Sequence, residues 1–169
     1  MHAAAEEGNI ERLKSLLERG VDINARDESN QSPLLIGTVK GNFDVVRLLV
    51  ERDAGVDSRD AWGRTPLHWS SPEGHLEVSR FLLDHGANVN ARQRNYWTPM
   101  HVSAGNGHLE IVKLLIERGA DIHAMNDGGE TPYQISLRFG NGPGNREIAD
   151  LLRDNGASRF GERFDDIVL

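Results

Sequence analysis

His68 and His101 each stand two residues beyond a proline that follows threonine, in GRTPLHWS (63–70) and WTPMHVS (97–103). Imidazoles at a repeated spacing could hold a metal ion or act as general bases, and Ser70, Ser71 and Ser103 lie close by in sequence. The wider pattern speaks against both chemistries. His2 aligns with the two histidines, but Leu35 and Gln134 stand at the remaining equivalent positions, so no multi-histidine site is maintained. The serines lack the G-x-S-x-G elbow of a hydrolase nucleophile, and the chain has no cysteine for thiolate chemistry or a disulfide framework. Carboxylates are abundant, but Glu18, Glu51 and Glu117 are each followed by an arginine, which is the pattern of a solvated helix face. GNGPG (140–144) has the glycines of a phosphate loop without a preceding strand or a following Gly-Lys-Ser/Thr, and reads as a linker. These residues predict no catalytic site, no metal and no cofactor.

The elements that hold the histidines explain their spacing. Pro33, Pro66, Pro99 and Pro132 are separated by 33 residues, and each follows a hydroxyl residue: Ser32, Thr65, Thr98 or Thr131. A hydroxyl before proline starts a helix, because the side-chain oxygen caps free N–H groups and proline fits the first turn. Gly8, Gly41, Gly74 and Gly107 repeat at the same interval and precede amphipathic stretches such as NFDVVRLLVERD and HLEIVKLLIERG. Apolar residues there fall at helical spacing, as in Leu109, Val112 and Ile116, and Gly20, Gly86 and Gly119 stand where a left-handed residue ends a helix. Each unit is therefore a short helix, a turn, a longer helix and an extended loop, and a period of this size implies a stacked array.

GRTPLHWSS with GHLEVSRFLLDHGANVNAR, and WTPMHVSAGNGHLEIVKLLIERGADIHA, resemble the ankyrin repeat family along essentially the whole chain. The resemblance implies an all-α solenoid with two antiparallel helices and a β-turn loop per repeat. It also implies that His68 and His101 hydrogen-bond around the Thr-Pro start and tie neighbouring loops together. The expected organisation is one domain over 1–162, with repeats at 1–26 (incomplete), 27–59, 60–92, 93–125 and 126–162, and a tail at 163–169.

The two ends differ from the middle. The long helices carry apolar pairs at Val45 and Leu48, Val78 and Phe81, and Ile111 and Leu114, where the first repeat has Arg12 and Ser15. The last repeat keeps Ile148 and Leu151 there. It is polar at Arg146 and Arg153, where the others have Phe43 and Val50, Leu76 and Leu83, and Leu109 and Ile116. The first set should face the preceding repeat and the second the following one, so both ends are polar caps. Phe160, Phe164 and Ile167 fall at i, i+4 and i+7, a spacing that would let the tail pack on the last repeat, although Arg146 and Arg153 beneath it oppose docking.

Five places depart from the pattern. Asp53 replaces a helix-ending glycine, which demands a costlier backbone or a changed turn. Asn30 and Tyr96 replace the loop glycine of Gly63 and Gly129; asparagine tolerates the left-handed region, and tyrosine implies a reshaped loop. Pro72 lies late in a short helix and removes the backbone donor that would serve the His68 carbonyl. Residues 138–147 hold about four residues beyond the period, between the two helices of the last repeat.

Individuality concentrates in the loops, where residues on a rigid frame commonly bind partners. All three tryptophans, Trp62, Trp69 and Trp97, fall in two adjacent repeats beside Arg64, Arg94 and Tyr96. Arg59 and Arg92 continue a ladder begun at Arg26. Trp, Tyr and Arg are the types enriched at interface hot spots, so these eight positions from Arg59 to Trp97 form the expected partner-binding set. The alternative places Trp69 in the core and packs the tip tryptophans on neighbouring loops.

A net charge of −7, with both signs mixed along the chain, argues against a nucleic-acid backbone or an anionic membrane as partner. No apolar run is long enough to span a bilayer and no signal-peptide core is evident, so a cytoplasmic monomer is expected. The expected function is a protein–protein interaction module that binds a protein or peptide through loop tips and the concave short-helix face. An engineered scaffold with no cognate partner is the alternative. Because each repeat buries its apolar face against neighbours, deleting residues 60–92 should leave a shorter cooperative array, whereas a break inside that repeat should unfold more. Thermal melts of the two variants check the register; a harmless mid-helix break beside a ruinous clean deletion would contradict it.

Overall fold

The computed structural model describes residues 1–139 and 143–157. The tail positions Phe160, Phe164 and Ile167, and the inserted residues 140–142, lie outside the described residues. The described chain is all helical and forms two compact units, 1–88 and 89–169.

The first unit contains α1 (His2–Glu6), α2 (Ile10–Glu18), α3 (Pro33–Val39), α4 (Phe43–Val50), α5 (Pro66–Ser70) and α6 (Leu76–Asp84). Each short helix packs on its own long helix and on the next short one, α1 on α3 and α3 on α5, while α2 meets α4 and α4 meets α6. Leu13, Leu34, Leu35, Val45, Val46, Leu49, Leu67 and Leu82 are fully buried between them. Burying each such side chain contributes roughly 1.5–3 kcal/mol, which short helices could not obtain alone. The Phe43 ring meets Phe81 edge-on at 5.3 Å, so Phe43 faces the following repeat and Phe81 the preceding one, as the sequence pairing requires. Arg12 and Ser15 on the outer face of α2 are exposed, and Arg12 pairs with Glu7 at 3.2 Å.

The second unit contains α7 (Pro99–Asn106), α8 (Leu109–Glu117), α9 (Pro132–Phe139) and α10 (Pro143–Asp154), preceded by a 3₁₀ turn, Arg94–Tyr96. Met100, Ile111, Val112, Leu114, Leu115, Ile135, Ile148 and Leu152 form its core. The helix α10 starts at Pro143, so that Asn145 lies inside its first turn instead of capping it. The buried Asn145 amide donates to the carbonyls of Ala104 (2.8 Å) and Gly105 (3.2 Å), the end of α7. Gly144 lies so close to the Gly107 carbonyl that an added Cβ would approach its oxygen to 2.5 Å.

The helix starts follow the hydroxyl-proline rule. Ser32 accepts from the Leu35 N–H at 3.2 Å, and Thr65 and Thr98 form reciprocal capping boxes in which the usual glutamate is replaced by His68 and His101. Thr98 Oγ1 and N–H lie 2.9 and 3.2 Å from His101 Nδ1, while Nε2 lies 3.0 Å from the Glu130 carbonyl in the following loop. A backbone N–H can only donate and a carbonyl can only accept, so the ring is neutral with its proton on Nε2. His2 reaches the carbonyls of Ala25 and Gln31 in the same manner, at 3.1 and 3.0 Å. Gln134 receives the Thr131 N–H at 2.7 Å in the last repeat. His2 and His101 are inter-loop ties, as the resemblance implied for His101, while His68 closes its own helix start at Thr65.

The departures resolve individually. Asp53 and Asn30 take left-handed backbones with φ 64° and 59°, in the region glycine would occupy. Tyr96 does so as well, at φ 60°, together with Asn95 at 67°, which reshapes the loop into the 3₁₀ turn. The helix α5 stops at Ser70, two residues before Pro72, whereas α7 runs through eight residues. Ser70 and Ser71 donate their hydroxyls to the Leu67 carbonyl at 3.2 and 2.7 Å as the helix closes.

Burial is the largest cause holding the His101 pKa below the ordinary histidine value, with Arg92 adding to it and the bond to the Glu130 carbonyl opposing it. The unfolded chain takes up a proton near pH 6.5 while the folded ring resists it, so this contribution is complete above about pH 6.5 and is lost as pH falls below it. His101→Gln keeps an acceptor for the Thr98 N–H, as Gln134 does for Thr131. That variant should remain folded at pH 7 and lose much of the decline in melting temperature between about pH 7 and pH 5. Melts across that range check this, and an unchanged slope would show that another group titrates.

Candidate functional site

The loop before α5 is organised by Asp60, whose side chain is fully buried. Its Oδ1 accepts the N–H groups of Trp62 and Arg64, both at 2.9 Å. Its Oδ2 accepts Arg64 Nε at 2.7 Å and Trp69 Nε1 at 3.1 Å. Burial pushes the Asp60 carboxyl up, but the combined hydrogen bonds from Arg64, Trp62 and Trp69 outweigh it and hold the pKa below the usual value. The carboxylate stays ionised and fixes the arginine, whose guanidinium carbon lies 4.5 Å from the Trp62 ring centre and 3.9 Å from that of Trp69. Trp69 is half-buried, whereas Trp62 is 51% exposed. The unit thus presents one indole to solvent on a guanidinium held from below.

Arg26 and Arg59 act as loop clamps. Arg26 donates to the carbonyls of Asn30 (3.1 Å) and Arg59 (2.9 Å), and Arg59 donates to that of Gly63 (2.8 Å). Further ties run between successive loops: Asn24 accepts the Gly55 N–H at 2.9 Å, and Asp57 accepts that of Asn88 at 3.1 Å. A groove of about 310 Å³ opens on the short-helix face between α1 and α3, with Ile36 and Val39 beside the rim charges of Glu6 and Asp27. Lys40 crosses it to Glu6 at 3.1 Å.

In the second unit the loop aromatic Tyr96 is 57% exposed with Arg92 over its ring at 5.6 Å, and Phe139 at the end of α9 is 53% exposed with Arg138 over its ring at 5.5 Å. Trp97 is half-buried, with its ring 5.8 Å from that of His101. Arg94 is exposed. Met125, at the register of the arginine ladder, is 43% exposed, and the Asp127 N–H donates to the Asn95 carbonyl at 3.0 Å, holding the 3₁₀ turn to the following loop.

Sequence reasoning singled out Arg64, Trp62 and Trp69 but missed the carboxylate that joins them. The signal was present: Asp27, Asp60 and Asn126 stand at the 33-residue interval with Gln93. The aspartates and the asparagine accept N–H groups two to four residues on, as in Ser29 and Gln31 to Asp27 and Glu130 to Asn126, each at 2.7–2.9 Å. Gln93 is one methylene too long for that turn. Its Oε1 is buried without a hydrogen-bond partner among the described residues, and the left-handed Asn95–Tyr96 pair forms the turn instead. Among the described residues, no group of three His, Asp or Glu side chains is arranged to hold a metal ion, and no helix is long and apolar enough to cross a membrane.

Comparison with known proteins agrees with this architecture. Residues 1–93 match ankyrin repeats (3 copies), and residues 82–136 match ankyrin repeats (many copies). The search of curated proteins returned no significant match. Ankyrin repeats are generally non-enzymatic protein–protein interaction modules. With the first match alone spanning more than half of the chain, and with paired helices, hydroxyl-proline helix starts and inter-loop histidines at His2 and His101, the protein belongs to the ankyrin repeat family.

Proposed function

We propose that the chain binds a protein partner through its loop tips, with Trp62 as anchor in the first unit and Tyr96 in the second. The observation that supports this most directly is the pairing of each exposed loop-tip aromatic with an arginine in its own unit, Trp62 with Arg64 and Tyr96 with Arg92. Exposed aromatic area returns little to folding, and a side chain held rigid beforehand loses little entropy on binding. Arg92 over the Tyr96 ring adds positive potential to an otherwise acidic chain, whereas the Arg64 charge is balanced by the Asp60 carboxylate. A partner segment that combines apolar side chains with carboxylates fits this surface best. The groove between α1 and α3 and the rest of the short-helix face supply further contact area. Trp69, Trp97 and Arg59 support the surface from within, and Arg94 lies at its rim.

Partner capture followed by titration of purified variants tests the proposal. Trp62→Ala or Tyr96→Ala should each weaken binding by about 2 kcal/mol, roughly 30-fold, and leave the melting temperature nearly unchanged. Arg94→Ala should mainly slow association and reduce its salt dependence. Trp97→Ala should lower the melting temperature, because its ring packs on His101. Unchanged affinity in both aromatic variants would move the partner site away from the loop tips.

A further inference from the structure

The groove between α1 and α3 holds a carboxylate whose counterpart one repeat later is fully engaged. Asp27 lines that groove and stands 33 residues before Asp60. In both loops Oδ1 is committed to the chain itself. Asp27 Oδ1 accepts the N–H groups of Ser29 and Gln31 at 2.9 and 2.7 Å, as Asp60 Oδ1 accepts those of Trp62 and Arg64. The loops differ at Oδ2. Asp60 Oδ2 takes Arg64 Nε at 2.7 Å and Trp69 Nε1 at 3.1 Å, and the guanidinium lies on the Trp69 ring at 3.9 Å. Gln31 and Ile36 stand at the registers of Arg64 and Trp69, and among the described residues none donates to Asp27 Oδ2. The equivalent atom of Asn126 is also engaged, its Nδ2 donating to Glu130 Oε2 at 3.3 Å. Asp27, Gln31 and Ile36 all line the groove of about 310 Å³, so it opens beside the three registers that Asp60, Arg64 and Trp69 fill.

We propose that this groove takes an arginine side chain from the partner, with its guanidinium on Asp27 Oδ2 and its methylene stem on Ile36. The incoming residue does from outside what Arg64 does within the next loop. This deepens the partner-binding reading and rests on it, since the arginine arrives on a protein segment. The other charges at the groove leave room for it. Lys40 and Glu6 pair with each other at 3.1 Å and cancel, so Asp27 carries the net charge. His2 turns Nε2 to the carbonyls of Ala25 and Gln31, and Arg26 directs its guanidinium to those of Asn30 and Arg59. Arginine suits the place better than lysine, because a planar, weakly hydrated guanidinium can lie on an apolar side chain while its edge meets a carboxylate. Val39 also lines the groove and offers contact to an apolar neighbour on the same segment. Pockets for small ligands begin at roughly 300 Å³, so the space suits one or two side chains.

The probe is acetyl-Leu-Arg-Leu-amide, with its lysine and citrulline counterparts, titrated into the full chain and followed by amide proton–nitrogen NMR. The arginine peptide should shift the Gln31, Ile36 and Val39 resonances saturably, with a Kd on the order of millimolar. The lysine and citrulline peptides should bind about tenfold more weakly. Asp27→Asn should weaken the arginine peptide by about tenfold as well. The loop should survive that change, because Asn126 accepts the Glu130 N–H at 2.9 Å in the same turn. Gln31→Arg together with Ile36→Trp rebuilds the Asp60 arrangement and should abolish peptide binding in a chain that stays folded. No saturable shift at the groove, equal binding of the lysine peptide, or undiminished binding to Asp27→Asn would overturn the proposal. Free L-arginine bound as tightly as the peptide would overturn the assignment to a partner segment. If Asp27→Asn does not fold, the double variant decides: lost binding supports the proposal and retained binding overturns it. Trp62→Ala should leave the peptide bound, so the groove and the loop tips are read separately. A captured partner weakened by Trp62→Ala but not by Asp27→Asn would uphold the loop tips and overturn the arginine groove.

Discussion

A neutral imidazole at the third position of a Thr-Pro helix start is the interaction on which the repeat depends. At His101 one nitrogen accepts from the Thr98 backbone, closing the helix start, and the other donates to the Glu130 carbonyl of the next loop. A glutamate in a capping box completes only the first of these tasks, because an ionised carboxylate has no proton to give a carbonyl. The ring therefore converts a local cap into a link between successive repeats, and burial keeps it neutral. Where no ring is present, other polar contacts serve: Ser32 meets Ser58 at 2.9 Å beside Leu35, and Gln134 closes the last helix start.

Once the loop bases are tied, the tips can vary. The Asp60 loop commits its carboxylate to two backbone N–H groups, a guanidinium and an indole, and so holds Trp62 at the surface on a fixed arginine. The Gln93 loop loses that turn and reaches a similar outcome through left-handed Asn95 and Tyr96, placing a phenol in solvent with Arg92 above it. The cost is visible as a buried amide oxygen with no partner among the described residues. Two unrelated local solutions that expose an aromatic beside an arginine support a binding role for the tips more strongly than either does alone.

The period, the helix starts, the amphipathic faces and the polar first cap are legible in the sequence because each depends on residues close together in the chain. Ser/Thr-Pro fixes a helix start locally, and a 3.6-residue pattern marks a buried stripe wherever it occurs. The left-handed Asp53 is legible for the same reason. The carboxylate at Asp60 is not, because its partners at 62, 64 and 69 meet only after the loop has closed. The neighbourhood of the Trp97 and His101 rings is illegible for a related reason, since it forms only when the loop folds back on the helix start. Exposure of Leu137 likewise depends on whether another element packs over α9, and periodicity within the helix carries no information about that.

The protonation of His101 tests the central claim most directly. Long-range proton–nitrogen correlation spectra of the imidazole, followed through a pH titration, distinguish the two tautomers and the charged ring. The inter-loop tie predicts a proton on Nε2, an accepting Nδ1, and resistance to a second proton as the pH falls below the ordinary histidine range. A ring protonated on Nδ1, or one that becomes an imidazolium near pH 6.5 while the chain remains folded, would contradict it.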